Sequence, residues 1–306
     1  WLQSIILIPF LRWDRCIILT DPPFMPVAVR LAKWLHPKRK VYWWTMDLYP
    51  EALVADGILA ENGIIHRLLF AINNFSMAGL DGIISLGPRQ KKRLSKYSAW
   101  KKVSGQHLIC PPWDYRPLEK VNPENNRLIS RFGWHGKKVV LYAGNIGHGH
   151  TYKDIIDAAR LLYEEGDKEI IFAFFCRGAK SEALRSEAAN LPNVVVNDYV
   201  PPDETAELLH SADVHLITMQ DGWEGIVVPS KLYGVMKTGA PVLFIGPRDA
   251  DTAEEIRRYG AGIVLPNGCG GEAVKDALEN IMQYNDVDYD RSKQNAPQEI
   301  AKFILQ

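Results

Sequence analysis

At 306 residues the chain is long enough for two domains of roughly 150 residues, each with its own core. Its 47% hydrophobic and 24% charged content excludes a disordered or fibrous chain, and no apolar run reaches the length of about 18 residues that reads as a membrane-spanning helix. The zero net charge hides an asymmetry: residues 1–136 hold 19 Lys and Arg against 10 Asp and Glu, whereas residues 137–306 hold 17 against 26, so the first half is set to face something anionic.

The opening WLQSIILIPFLRW (1–13) is interrupted by Pro9 and Arg12. It has neither the charged start nor the small-residue cleavage site of a signal peptide. The chain begins at Trp1 rather than Met, from which we expect a natural start upstream. RCIILT (15–20), KVYWWT (40–45), DGIISLG (81–87) and QHLIC (106–110) read as strands, with helices over 25–36, 62–79 and 89–97. Residues 1–110 are therefore expected to form a first, incomplete Rossmann-like domain. PPWDYRPLEKVNPENN (111–126) carries four prolines and no periodicity, which predicts a linker over 111–136.

Residues 137–306 show a fuller alternation. KKVVLYAG (137–144), EIIFAFFC (169–176), NVVVN (193–197), DVHLITM (213–219), PVLFIG (241–246) and AGIVLP (261–266) are near-continuous apolar runs. Helical segments at 152–165, 179–190, 203–211, 230–238, 251–259 and 271–284 separate them. That pattern predicts α/β architecture with a parallel sheet covered on both faces, a second Rossmann-like domain.

Two stretches carry chemistry. GNIGHGH (144–150) joins a strand to a helix, and small residues there let backbone N–H groups approach a phosphate beside a helix start. Taken alone it is equally a tight strand-to-helix turn. EGIVVPSKLYG (224–234) follows the fourth strand, with Pro229 and Ser230 as a helix start and Ser230 as its cap. Lys231 then sits in the first turn, where the dipole is already positive. A bound anion would resolve that conflict, and a solvated lysine is the plain alternative.

Other features are weaker. DVDYD (286–290) imitates a metal motif but does not follow a strand and lacks the residues of a calcium loop. His148 and His150 lack a third ligand. The four cysteines, Cys16, Cys110, Cys176 and Cys269, form no CxxC pair, so neither zinc nor a disulfide framework is indicated. No metal and no cofactor is expected. RQKKRLSKYSAWKK (89–102) holds seven basic residues with Tyr97 and Trp100. It suits an anionic membrane or a lipid diphosphate, or is a solvated helix face, and no nucleic-acid module accompanies it.

Residues 137–162 resemble the "strand, GNxG, basic residue, small residue, His" signature of retaining, family-4-type GT-B glycosyltransferases, in the bacterial branch that builds O-antigen, capsule and exopolysaccharide. Residues 224–247 resemble that branch's PSK-x-YG signature, and WWTMDLYPEAL (43–53) resembles its D-L-aromatic-P-E motif. The likeness spans nearly the whole chain. Three departures stand out. Leu232 replaces the second of two glutamates eight apart, Gly234 stands where a glutamate commonly grips the ribose, and Cys176 replaces a glycine. The C-terminal helix that crosses back is short, at about 296–305. Elements on the order of 80 residues, including a Gly-rich acceptor loop, are missing before RCIILT.

The resemblance implies a GT-B fold and a retaining transfer from a nucleotide sugar, expected to be UDP-linked, to a lipid-linked or glycan acceptor. Gly144, Asn145, Gly147, His148, Lys180, Pro229 and Ser230 are the expected diphosphate contacts, with Lys231 stabilising the leaving group. Tyr199 and Val200 would hold the base and Glu224 the sugar hydroxyls. Asp47 and Glu51 are the acceptor-side carboxylates, or else a cap and first-turn acid around Pro50. The chain is expected in the cytoplasm, peripheral at the inner face of the plasma membrane. A rival reading is a non-catalytic or split-enzyme subunit that binds nucleotide sugar and needs a partner for the acceptor. An epimerase of the same fold is disfavoured by the PSK-x-YG signature.

Overall fold

The computed structural model describes residue 3 and residues 7–112, 118–282 and 296–305. DVDYD at 286–290 lies outside them. The chain divides into two compact units. One comprises Trp1–Pro112, Trp223–Val228 and Ser292–Gln306, the other Trp113–Gly222 and Pro229–Arg291.

In the first unit β1 (Arg15–Ile18), β2 (Lys40–Trp44), β3 (Gly82–Ser85) and β4 (His107–Ile109) form a parallel sheet in the order β1-β2-β3-β4. The connections are α1 (Met25–Leu35), then α2 (Glu51–Ala55) and α3 (Ile64–Met77), then α4 (Pro88–Leu94) and α5 (Trp100–Val103). Short α2 answers to the helix start weighed around Pro50, whereas α5 is not expected from the sequence, because four residues carry too little periodicity to read.

The basic stretch 89–102 is not one solvated face, since Gln90, Leu94 and Tyr97 are buried. Gln90 spends its whole amide. Its Oε1 accepts from Thr45 Oγ1 (2.7 Å) and the Leu86 N–H (2.8 Å), and its Nε2 donates to the Met46 carbonyl (2.8 Å).

Two later segments complete this unit. In Trp223–Val228, Trp223 and Ile226 are buried, and the Leu48 N–H donates to the Ile226 carbonyl (3.1 Å). Gly225 has φ 72°, and a Cβ there would lie 2.6 Å from the Arg89 carbonyl carbon, so only glycine allows this approach. The C-terminal helix Ala296–Leu305 buries Ile300 and Ile304 and receives the Tyr42 hydroxyl at its Ile304 carbonyl (3.1 Å). Sequence pattern had assigned Glu224 and this helix to one span, 137–306. The contacts group both with the first unit.

The second unit holds six parallel strands: β5 (Lys138–Asn145), β6 (Ile170–Arg177), β7 (Val194–Asn197), β8 (Val214–Thr218), β9 (Val242–Ile245) and β10 (Gly262–Leu265). Their order is β10-β9-β8-β5-β6-β7, with the first strand central, as in a doubly wound sheet. Alternate residues of β5 feed two cores. Val140 and Tyr142 pack among Phe172, Phe174, Leu243 and the helix Lys153–Glu164, while Val139 and Leu141 pack among Phe175, Leu128, Trp134 and Leu208.

That second core corrects the predicted linker at its C-terminal end. Arg127–Phe132 is a helix of this unit, and the Trp134 ring meets Phe175 edge-on at 6.2 Å. Buried Asn126 caps the helix through Oδ1, which accepts from the N–H groups of Leu128 (3.0 Å) and Ile129 (3.3 Å), while Nδ2 donates to the Glu207 carbonyl (2.7 Å). The prolines and polar residues of 111–126 masked a cap that belongs to the core. Asn126→Ala removes the cap and strands a buried carbonyl, so urea unfolding is expected to show a loss of about 1–3 kcal/mol with an unchanged m-value.

Candidate functional site

The second unit brings together the two motifs of its sequence. β5 ends in the turn 144–150, entered at Gly144 with φ 138°. A Cβ on Gly144 would stand 3.5 Å from Lys231 Cδ, so the lysine stem runs along the bare glycine backbone. Lys231 opens a helix of only five residues, Lys231–Val235, continued by a 3-10 turn at Met236–Thr238. Ser230 holds the cap position in helical geometry and its hydroxyl makes no capping bond, contrary to expectation. So short a helix adds little dipole, and the local positive charge is that of Lys231 itself.

That charge has an unusual setting. Lys231 Nζ is buried, has no hydrogen-bond partner among the described residues and lies 3.5 Å above the centre of the Tyr142 ring. Burial pulls the ammonium down to about 7, and the nearby Cys176 opposes that shift. His150 carries no compensating charge. Burial first and Lys231 second push it down to about 3, and its neutral ring donates from Nδ1 to the Thr218 carbonyl (2.7 Å). The plain alternative of a solvated lysine is therefore excluded for Lys231. An isolated buried ammonium is costly unless an anion joins it.

The other expected contacts divide. Lys180 does not reach outward: its Nζ donates to the carbonyls of His148 (2.9 Å) and His150 and so stitches the turn closed. Asn145 is exposed. A Cβ on Gly178 would lie 2.4 Å from its Oδ1, and its carbonyl accepts from the Tyr142 hydroxyl (2.7 Å). The Ile146 N–H is already given to the Arg177 carbonyl (2.8 Å), which removes it from the 145–147 cradle. Gly147 and exposed His148 lie in the turn itself, Pro229 is buried and Ser230 is exposed. Tyr199 is exposed beneath the Arg177 guanidinium (5.5 Å). The Val200 side chain packs into the core around Phe175, so only its backbone remains for a base contact.

Glu224, Asp47 and Glu51 belong to the first unit. Arg93 Nε donates to the Glu224 carbonyl (2.6 Å), and its Nη2 lies 3.5 Å from Glu224 Oε1. Glu224 Oε2 is buried with no hydrogen-bond partner among the described residues. Asp47 is exposed, its N–H donates to Thr20 Oγ1 (3.1 Å), and desolvation by the surrounding chain, then the Asp21 charge, raise its carboxyl. Glu51 accepts from the buried Tyr97 hydroxyl (2.8 Å), which makes it more than a first-turn acid. The helix it opens has no side-chain cap. Among the described residues no cluster of His, Cys, Asp and Glu is fit to hold a metal. Tyr142 lies in the strand of the 137–162 signature but is not marked there by type or spacing, and Thr218 ends β8 outside both motifs; folding brings Tyr142 under the lysine and Thr218 to His150.

No protein-family model matches the chain. The "Probable glycosyltransferase WbjE" of Pseudomonas aeruginosa is 29% identical over 266 residues, covering 83% of this chain and 63% of that protein. The "Putative colanic acid biosynthesis glycosyl transferase WcaI" of Escherichia coli K12 is 32% identical over 236 residues, covering 74% and 56%. The crystal structure of Anabaena HepE in complex with UDP superposes with a TM-score of 0.69 at 13% identity, covering 98% of this chain and 80% of that one. The chain is thus similar in sequence to two proteins named as glycosyltransferases and shares its fold with the HepE structure. It spans less than two thirds of the length of the two curated relatives.

The depressed Lys231 ammonium fixes a pH dependence of folding stability. Below about pH 7 the lysine is charged in both folded and unfolded chains, and the cost of its burial is fully present. As pH rises from 7 toward the ordinary lysine value, only the unfolded chain stays protonated and the cost drains away. Lys231→Met is therefore expected to raise the melting temperature of the ligand-free protein at pH 7 and below. Its advantage should shrink steadily as pH rises to 10, a trend that differential scanning calorimetry would follow.

Proposed function

We propose that the protein is a nucleotide-sugar-dependent glycosyltransferase of cell-surface polysaccharide synthesis, with a UDP-linked donor, acting with retention on a lipid-linked or glycan acceptor. One observation carries the reading: a buried ammonium with no counter-charge, laid against the bare backbone of Gly144. When the bond from the sugar's anomeric carbon to the diphosphate breaks, negative charge grows on the departing oxygen, and a preplaced cation in a dry setting favours that charge strongly. The acceptor hydroxyl forms the new bond to the anomeric carbon and its proton leaves with the diphosphate. Retention rests on the resemblance of the PSK-x-YG segment, and the uridine donor is supported by the fold shared with a UDP complex. Glu224 Oε2, buried and unused, is the proposed acceptor of sugar hydroxyls, and Asp47 and Glu51 are proposed on the acceptor side.

UDP at a hundredfold excess over Kd should stabilise the protein by about 2.7 kcal/mol in a thermal-shift assay. Lys231→Ala should remove most of that gain while remaining folded, and an undiminished gain would contradict the assignment. Glu224→Gln should weaken a UDP-sugar far more than UDP itself. Equal weakening would make Glu224 structural.

We further propose that the first unit meets an anionic membrane, where a lipid-linked acceptor resides. No helix of the described residues is long and apolar enough to cross one, and the proposed contact is peripheral. The supporting observation is an apolar face that α1 and α3 turn outward, with Trp34 84% exposed and Ile64 89%. Arg30 lines the adjoining groove, where Lys33 is ion-paired with Asp81, and Lys38 and Arg67 are exposed nearby in sequence. The other tryptophans of this unit near basic residues fit less well: Trp13 is half-buried under Arg39 (4.7 Å to the ring centre), and Trp100 packs edge-on to His107 (5.0 Å). Indole favours the headgroup region, and each nearby Lys or Arg adds about 1 kcal/mol at an anionic surface. Co-sedimentation with phosphatidylglycerol vesicles at low salt should therefore fail for Trp34→Ser with Leu68→Ser. Wild type that ignores such vesicles would exclude the contact.

A further inference from the structure

The Lys231 ammonium is held by a ring rather than by a carboxylate, and that choice has a consequence for binding. A carboxylate partner would neutralise the cation and compete with any incoming anion. A ring face attracts the cation through its quadrupole while leaving the whole charge available. Tyr142 is fully buried at 0% exposure, two residues before Gly144. Its hydroxyl donates to the Asn145 carbonyl (2.7 Å), its face carries Lys231 Nζ (3.5 Å), and its edge meets the His150 ring with centroids 6.0 Å apart. One side chain thus touches the start of the glycine-rich turn, the cation, and the histidine bonded to Thr218. The groups facing Lys231 from neighbouring elements are the Cys176 thiol of β6, neutral His150 of the turn and, beyond it, Lys180. None is an anion at neutral pH.

We propose that Tyr142 is the positioning residue of the anion site, holding the Lys231 ammonium on its ring, uncompensated, until a nucleoside diphosphate joins the ring as its second partner. This rests on the function proposed above. Tyr142 touches no reacting atom and acts through Lys231 and the turn. The ring alone carries the effect on the cation, and the hydroxyl serves the turn.

Two measurements separate this role from a merely structural one. The first needs no nucleotide. In protein carrying 13Cε-labelled lysine, an NMR pH titration of ligand-free Lys231 should show its midpoint falling in Tyr142→Leu, which withdraws support from the charged form, and returning close to wild type in Tyr142→Phe. An unmoved midpoint in Tyr142→Leu overturns the proposal whether or not UDP binds. The second is UDP titration across pH 6–9. Tyr142→Leu should weaken UDP by about tenfold, the size of a desolvated cation–π contact, and should lose binding at lower pH than wild type, while Tyr142→Phe recovers most of the affinity. Equal loss in both variants with no shift of the pH profile overturns it. Failure of wild type to bind UDP would count against the proposed function, while the lysine titration would still judge Tyr142.

Discussion

An ammonium removed from water without a counter-charge is among the least favourable arrangements a folded protein can keep. Here it is kept at Lys231, and the surrounding second unit is built to keep it there. β5 delivers Tyr142 beneath the cation and Gly144 beside its stem. Lys180 closes the glycine-rich turn through two carbonyls, and His150, tied to Thr218, remains neutral. The doubly wound order places β5 in the interior of the sheet, so the turn that follows it rises from a strand paired on both sides. Stability is given up at one point, and a diphosphate is the ligand whose charge would restore it.

Glu224 shows a different logic. Its segment follows the strand β8 in sequence, yet its contacts lie with the first unit: Arg93 takes its carbonyl, the backbone of Arg89 approaches Gly225, and Leu48 bonds Ile226. The segment therefore depends on the backbone just after Asp47 and on α4, whose Gln90 fixes the Met46 carbonyl beside Asp47. A buried oxygen left unused on Glu224 is the counterpart of the unused ammonium on Lys231. In the proposed reading the first accepts from sugar hydroxyls and the second meets an anion.

Much of this was legible in the sequence. Of the ten strands among the described residues, eight lie within the apolar runs that announce them, because parallel strands buried on both faces leave little room for polar residues, and β5 and β6 overrun theirs by one residue, Asn145 and Arg177. The two glycine- and proline-marked motifs proved to be neighbours, as phosphate chemistry requires. What could not be read follows from burial. Tyr142 is an ordinary strand residue until the lysine is laid on it. Val200 adjoins Tyr199 in sequence but turns into the core around Phe175. Ser230 has the right type for a cap and the wrong backbone. The helix 127–132 hid behind a proline-rich stretch, since its apolar positions span barely two turns.

The central claim is that Lys231 waits half-discharged for a diphosphate, and calorimetry tests it most directly. Titration of UDP at pH 8 in buffers of different ionisation enthalpy counts protons exchanged on binding. A lysine poised at about 7 is mostly neutral at that pH and must be recharged by its ligand. The account predicts uptake of close to one proton per UDP, abolished in Lys231→Met. Tight binding of UDP with no proton uptake, or uptake that persists in Lys231→Met, would contradict it.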